Sequence, residues 1–371
     1  MPVVVLFYND NGLQMQEIFI LKGIYSLGIV AMELPSGWMA DVWGRRKTLL
    51  MGSILGAVGF MLYALSHQFV WFVVAEIVLG VGYSFVSGAD SAMLYDSLQG
   101  KGKERDYARQ EGRITSAGNV AEALAGIAGG ILAGITLRTP FYFQFVVAAM
   151  AIPAAYRLIE PLREKGPDIR HPLRFLKAVR TTLFANRSLL PILLFSSVTG
   201  TATLTFAWFV QPYLQSIRLP VEWFGLLWAM LNLSVAVSSA LAYRIEEHLG
   251  RRLGVLIIMI SLTAGFWLSG MFIVWWGVAF LFFFYLARGI ATILLKNYIN
   301  EHTDSGVRAT LLSVRNFLIR INFAITGPAL GWITDKVSLG WALFSAGTLY
   351  FIAAAVSAYF WFTATSKDKP S

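Results

Sequence analysis

Residues 37–47 read GWMADVWGRRK, one aspartate and three consecutive cations set between two long apolar runs. Charge of this density is out of character with a chain of 371 residues that is 57% hydrophobic and only 14% charged. A soluble domain carries about a quarter charged residues, so the composition predicts an integral membrane protein. The 12 Trp and 14 Tyr agree with this, because such rings collect where a bilayer meets water. Lipid offers no partner for an unpaired backbone group, so each crossing must be a helix of about 20 mainly apolar residues. Eleven stretches qualify: 17–40, 48–65, 69–95, 110–134, 140–160, 188–214, 221–243, 253–270, 275–297, 309–333 and 340–363. Residues 2–7, PVVVLF, are too short to cross and read as the end of a further helix, whose beginning is expected upstream of Met1. They lack the basic start and cleavage site of a signal peptide.

The net charge of +9 raises the question of nucleic acid, and the position of the cations answers it. Alternate loops hold Arg45, Arg46 and Lys47; Lys101, Lys103, Arg105 and Arg109; eight cations from Arg157 to Arg187; Arg244, Arg251 and Arg252; Lys296 and Arg308; Lys367 and Lys369. The opposite loops hold Arg138, Arg218 and Lys336. Twenty-two against three is the bias that marks the cytoplasmic side. The opening stretch therefore lies in a cytoplasmic loop, the C-terminus is expected in the cytoplasm, and no nucleic-acid partner is implied.

The polar segment 161–187 divides the chain into an N-terminal part, 1–160, and a C-terminal part, 188–371. Within it Leu173, Leu176, Val179 and Leu183 recur at helical spacing beside Arg174, Lys177 and Arg180. That pattern fits a basic amphipathic helix, either on the inner leaflet or in solvent. The two parts echo each other. Asp41 precedes Gly44-Arg45-Arg46 by three residues, and Glu247 precedes Gly250-Arg251-Arg252 by three, an offset of 206. GIAGGIL from Gly126 and GPALGWI from Gly327 repeat at an offset of 201. Internal duplication of this kind is how many secondary transporters are built.

Gly37, Asp41, Gly44, Arg45 and Arg46 match the G-x-x-x-D-x-x-G-R-[RK] loop that the major facilitator superfamily carries between its second and third helices. With the degenerate second copy, the eleven spans and the central linker, the chain resembles that superfamily throughout. ELPSGWMAD and GADSAMLYDSL resemble, more loosely, its bacterial drug-efflux members. The resemblance implies an all-α integral membrane protein of two six-helix bundles, the first helix truncated in this chain. It further implies that the loop latches the two halves on the cytoplasmic side, with Asp41 near the start of the helix over 309–333. Physically, the two glycines permit a tight turn, and Asp41 can pair with Arg45 or meet the positive end of a helix. Arg46 and Lys47 are expected chiefly to fix topology.

Transport chemistry is expected of ionisable groups inside the spans, which are expensive in hydrocarbon and face a cavity or a partner. They are Glu33, Glu76, Asp90, Glu122, Arg288 and Arg320. Glu122 lies mid-span on the stripe Glu111, Thr115, Gly118, Glu122, Ala125, Gly129, whose small residues allow close helix contact. It is read either as a buried acid at a helix interface or as a proton carrier. Arg320, with Asn316 one turn earlier, and Arg288 each call for an anionic partner, from the protein or from a substrate. Glu33 and Asp90, with Asp96 at the boundary, are expected to pair with loop cations such as Arg45 or Arg109. Glu76, in AEIVLGVG, stands where many family members have an arginine in R-x-x-x-G-x-G, so that arginine's role does not carry over. The G-P-x-x-G-G antiporter signature is incomplete: GIAGG at 126–130 lacks the proline.

There are no cysteines, the four histidines lie in separate loops, and neither H-E-x-x-H nor G-x-x-x-x-G-K-[ST] occurs. No enzyme, metal site or cofactor is predicted. The leading expectation is a monomeric secondary transporter in the cytoplasmic membrane, moving a small molecule by alternating access through proton-coupled efflux of an amphipathic compound. The alternatives are a proton-coupled uptake symporter for a nutrient or anionic metabolite, and a non-transporting sensor or assembly partner.

Overall fold

A computed structural model describes residues 2–87, 89–161, 189–301 and 305–367. In chain order these form α1 (Val4–Asp10), α2 (Met15–Val42), α3 (Arg45–Leu65), α4 (Phe69–Ser87), α5 (Asp90–Gln99), α6 (Tyr107–Ala133), α7 (Thr139–Arg157), α8 (Leu189–Ser216), α9 (Glu222–Met271), α10 (Val278–Glu301), α11 (Ser305–Lys336) and α12 (Leu339–Lys367). Among the described residues there are no strands, and eleven helices are long and apolar enough to cross a membrane. They coincide with the eleven apolar stretches in the sequence. Residues 2–7 do continue as a short helix, α1. The expected amphipathic helix at 161–187 lies outside the described residues.

The boundaries follow from local chemistry. Gly44 takes φ 101° and ψ 154°, a conformation closed to most L-residues, and so separates α2 from α3. Gly250 does the same inside α9 (φ 73°, ψ 165°), splitting its 50 residues into two spans. Pro35, Pro153, Pro212 and Pro328 sit inside helices, which membrane helices tolerate where neighbours satisfy the freed carbonyls.

The described residues form two compact units, 2–13, 20–161 and 221–225 in one, 14–19, 189–220 and 226–367 in the other. In the first, α3 packs against α4 and α7. Its core is aromatic: Phe7 lies 4.1 Å from Phe141 and 5.6 Å from Phe72, and Tyr63 stacks on Phe141 at 5.5 Å. In the second unit α8 is central, packed by α10, α11 and α12. There Phe206 stacks on Phe284 at 3.7 Å, and the Tyr350 hydroxyl joins Thr205 (2.8 Å) and Thr326 (3.0 Å).

One loop cation holds the first unit together at its non-basic end. Arg138 donates to the carbonyls of Ala64 (2.9 Å) and Ser66 (2.7 Å) at the end of α3, and to Asn11 Oδ1 (2.7 Å) beyond α1. Its guanidinium lies over the Phe7 ring at 5.0 Å. Orphan carbonyls and the negative end of α3 are thus met by a permanent cation. Burial lowers its pKa from the ordinary arginine value, yet a guanidinium stays charged at physiological pH. Arg138→Gln should cost about 2 kcal/mol, the scale of lost charge-assisted hydrogen bonds. Thermal unfolding in detergent should show this as a lower midpoint, and an unchanged midpoint would remove Arg138 as a tie.

Candidate functional site

The basic loop is a knot of ion pairs and helix caps. α3 begins at Arg45, and its first backbone N–H groups need an acceptor. Glu160, just beyond α7, supplies both carboxylate oxygens: Arg45 N–H donates to Oε1 (2.7 Å) and Arg46 N–H to Oε2 (2.8 Å). The negative charge also meets the positive helix end. The Arg45 side chain is buried between Asp41 (3.2 Å) and Asp96 (3.3 Å). Arg46 donates to the Tyr156 carbonyl (2.6 and 3.0 Å) and lies over the Tyr156 ring at 4.9 Å. Arg46 is therefore more than a topology signal, because it ties α3 to the end of α7. The expected meeting of Asp41 with the start of the helix read over 309–333 involves side chains that, through residue 310, lie outside those described.

The second copy repeats the geometry. Gly250 shares the positive φ and extended ψ of Gly44. Arg251 pairs with Glu301, which also accepts from Asn297 Nδ2 (2.7 Å), and Arg251 lies 5.0 Å from the Tyr298 ring. Arg45 to Arg251 is an offset of 206 and Asp96 to Glu301 one of 205, so the ion pair is duplicated as well as the turn.

The charges inside the spans are distributed unevenly. Glu122 is exposed on α6, as are Thr115, Gly118 and Ala125, and no atom comes within 4 Å of a Cβ built at Gly112 or Gly118. Over Thr115 to Ala125 the stripe makes no close helix contact and Glu122 is no buried interface acid, whereas Gly129 at the end of the stripe is buried. Glu111, at the head of the stripe, accepts from Ser91 Oγ (2.9 Å). Asp90 is exposed and takes the N–H of Ser91 (2.6 Å) at the first turn of α5, with no cation on it among the described residues. Of the acids expected to pair with loop cations, Asp96, six residues on and facing α3, does so with Arg45. Glu33 is half-buried on α2. In the second unit Arg320 is half-buried and Asn316 exposed on α11. Arg288 has no carboxylate among the described residues and lies over the Tyr285 ring, one turn earlier on α10, at 5.4 Å.

Glu76 belongs to a buried cluster. It is 1% exposed, and Oε1 accepts from Lys22 Nζ of α2 and from the Tyr8 hydroxyl of α1 (2.8 Å). The Tyr8 and Tyr63 hydroxyls share a hydrogen bond, and Lys22 Nζ reaches Tyr63 of α3 at 3.4 Å. The glycines of E-x-x-x-G-x-G bring these helices together. A Cβ at Gly80 would stand 2.7 Å from the Tyr25 carbonyl of α2, and one at Gly82 3.0 Å from Leu55 of α3. α4 can sit against both neighbours because those side chains are missing, and Glu76, one turn before Gly80, then faces Lys22.

Sequence reasoning missed Lys22, Tyr8 and Tyr63, and it missed Arg315, whose Nε donates to Ser196 Oγ of α8. A signal was present: Lys22, Arg113, Arg288, Arg315 and Arg320 are the cations left once the loop cations are counted, and two of the five were singled out.

A family model, Major Facilitator Superfamily, matches residues 1–325. The chain belongs to the major facilitator superfamily. Among curated proteins it is similar to the quinolone resistance protein NorA of Staphylococcus aureus, 22% identical over 158 residues, 43% of this chain. That match spans 40% of NorA's length. The fold is shared with the nucleoside transporter NupG (TM-score 0.77, 15% identity, 97% of this chain and 92% of that one). It is shared also with a bacterial homologue of the human lysosomal transporter Spinster in an inward-facing, unoccupied conformation (TM-score 0.74, 16% identity, 100% and 94%).

In this superfamily member the two glycine turns can be told apart by substitution. Gly44→Ala and Gly250→Ala each place a side chain at positive φ, a strain of about 1–3 kcal/mol. At Gly44 the new methyl would also stand 2.8 Å from Glu160 Oε1, whereas at Gly250 it meets nothing within 4 Å. Gly44→Ala should therefore unfold at the lower temperature in detergent, and equal losses would show that the Glu160 cap carries no weight.

Proposed function

We propose that the chain is a proton-coupled exporter of a small amphipathic compound, acting as a monomer in the cytoplasmic membrane with its basic loops and C-terminus inside. Its bundles, 1–160 and 188–371, work by alternating access, and 161–187 links them on the cytoplasmic side. The basic loop at 37–47 serves as the latch between the two access states. The observation that carries the reading is Glu122, a carboxylate at mid-span whose stripe is open rather than packed. An ionised group there is costly against lipid, so this face of α6 borders water, and a carboxylate bordering water inside a membrane can load and release protons. The similarity to a drug-resistance protein supports export of an amphipathic cargo.

A direct test uses purified protein in proteoliposomes with an imposed pH gradient and a fluorescent amphipathic dye. Wild type should move dye at a rate set by the gradient, and Glu122→Gln should lose that dependence while keeping its fold. Gradient-driven transport by Glu122→Gln equal to wild type would end Glu122's role as carrier.

A second reading, uptake of a nutrient or anionic metabolite, is favoured by Arg288 and Arg315, which meet a tyrosine ring and a serine hydroxyl but no carboxylate among the described residues. A guanidinium left over in this way suits an anionic group on a substrate. If anionic dyes alone are taken up with the gradient, and Arg315→Gln abolishes their uptake, this reading displaces the first. Under the export reading, neutral and cationic dyes move out and Arg315→Gln leaves them unaffected.

A further inference from the structure

The proton coupling proposed above, on which this inference rests, needs carboxyl groups whose surroundings change as they gain and lose protons. We propose that Glu76 is a second protonation site of the transport cycle, and that its ion pair with Lys22 is broken and remade in each turnover. The site is built from four helices. Facing Glu76 of α4 are Lys22 of α2, with Tyr25 beyond it, Tyr63 of α3, and Tyr8 of α1. α7 contributes the Phe141 ring, and Arg138 closes the end of the cage over Phe7. Lys22 also lies over the Tyr8 and Tyr63 rings at 5.2 and 5.7 Å.

Packing gives no reason for charge at this place, since a neutral pair of the same shape would fill it and buried ion pairs are frequently no better than apolar substitutes. What charge adds is a state that can be changed. When water delivers a proton to the Glu76 carboxylate, a carboxylic acid forms and the net charge of the Lys22–Glu76 pair passes from zero to +1. The Lys22 ammonium then loses the Glu76 charge in a low-dielectric cage, and its side chain is the more exposed of the two, 11% against 1%. Lys22 moves toward that water and α2 loosens from α4. Loss of the proton restores the carboxylate and draws Lys22 back. The two phenols suit both states, because a hydroxyl rotates to donate to a carboxylate or to accept from a carboxylic acid or an ammonium. Because each partner sits on its own helix, the number of groups around Glu76 changes when any one helix shifts.

The test compares wild type with Lys22→Met/Glu76→Gln, which removes both charges together and keeps the volume. In proteoliposomes the double variant should lose dye transport driven by a pH gradient, falling to the level of empty vesicles, while still exchanging dye in gradient-free counterflow. Gradient-driven transport equal to wild type would overturn the proposal and leave Glu122 as the carrier. A wild type indifferent to the gradient would overturn proton coupling itself, and this inference with it. Should the double variant lose counterflow too, infrared difference spectra decide. A carboxylic-acid C=O band in wild type that follows pH, and shifts in Glu76→Asp, supports the proposal; no such band, or one that does not shift, overturns it.

Discussion

The Glu76 carboxylate is 1% exposed, and the Lys22 ammonium and the Tyr8 hydroxyl stand beside it. Leaving either charge without its partner in a buried site costs about 3–5 kcal/mol, enough to consume much of a domain's stability. The arrangement of the first unit follows from that requirement. α4 must approach α2 closely enough for the two side chains to meet, and Gly80, packed against the Tyr25 carbonyl, permits it. α1 and α3 must end at the same depth so that their tyrosines close the cage. Arg138, gripping the end of α3 and Asn11 after α1, fixes those ends.

The basic face obeys a related rule under milder conditions. There the charges lie near water, so each pair is individually weaker, and the structure relies on several groups sharing a helix terminus. Glu160 caps α3 with both oxygens while Arg45 is held by two aspartates on separate helices. The second unit keeps the turn and the arginine-to-acid pair but replaces the aspartate with Glu301 and steadies it through Asn297. Duplication has conserved the backbone conformation of the glycine and the sign of each charge, while the side chains that complete the site differ.

This division explains what could be read from the sequence. The spans were legible because hydrocarbon imposes length and apolarity on each one locally, and the eleven stretches are the eleven crossing helices. The duplicated loop was legible because its two glycines and its charges lie within ten residues. Glu76 was visible as an intramembrane acid, but its meaning depends on residues 68, 54 and 13 positions away, Tyr8, Lys22 and Tyr63, which helical spacing within one span cannot bring together. Asp90 and Asp96 were given the same expected cations; a rotation on α5 decides that one meets Arg45 and the other its own helix start. The stripe of small residues around Glu122 left two readings open because a small residue permits close packing without requiring it.

The two halves also differ in how they treat intramembrane charge. In the first, Lys22 is matched by Glu76, Arg113 stands exposed on α6, and Glu122 remains as an exposed carboxylate. In the second, span interiors hold Arg288, Arg315 and Arg320, and the acids Glu222 and Asp335 lie at span ends. A duplicated ancestor would have begun with equivalent halves, so this separation of sign arose afterwards. Protons and cargo place opposite demands on a transport path: a group that must release a proton near neutral pH has to be an acid, whereas a guanidinium keeps its charge throughout and can only bind. Under the proposed proton coupling, the acids of the first half are the groups able to respond to the proton, and under the second reading, uptake of an anion, the arginines of the other half are the groups able to hold the cargo.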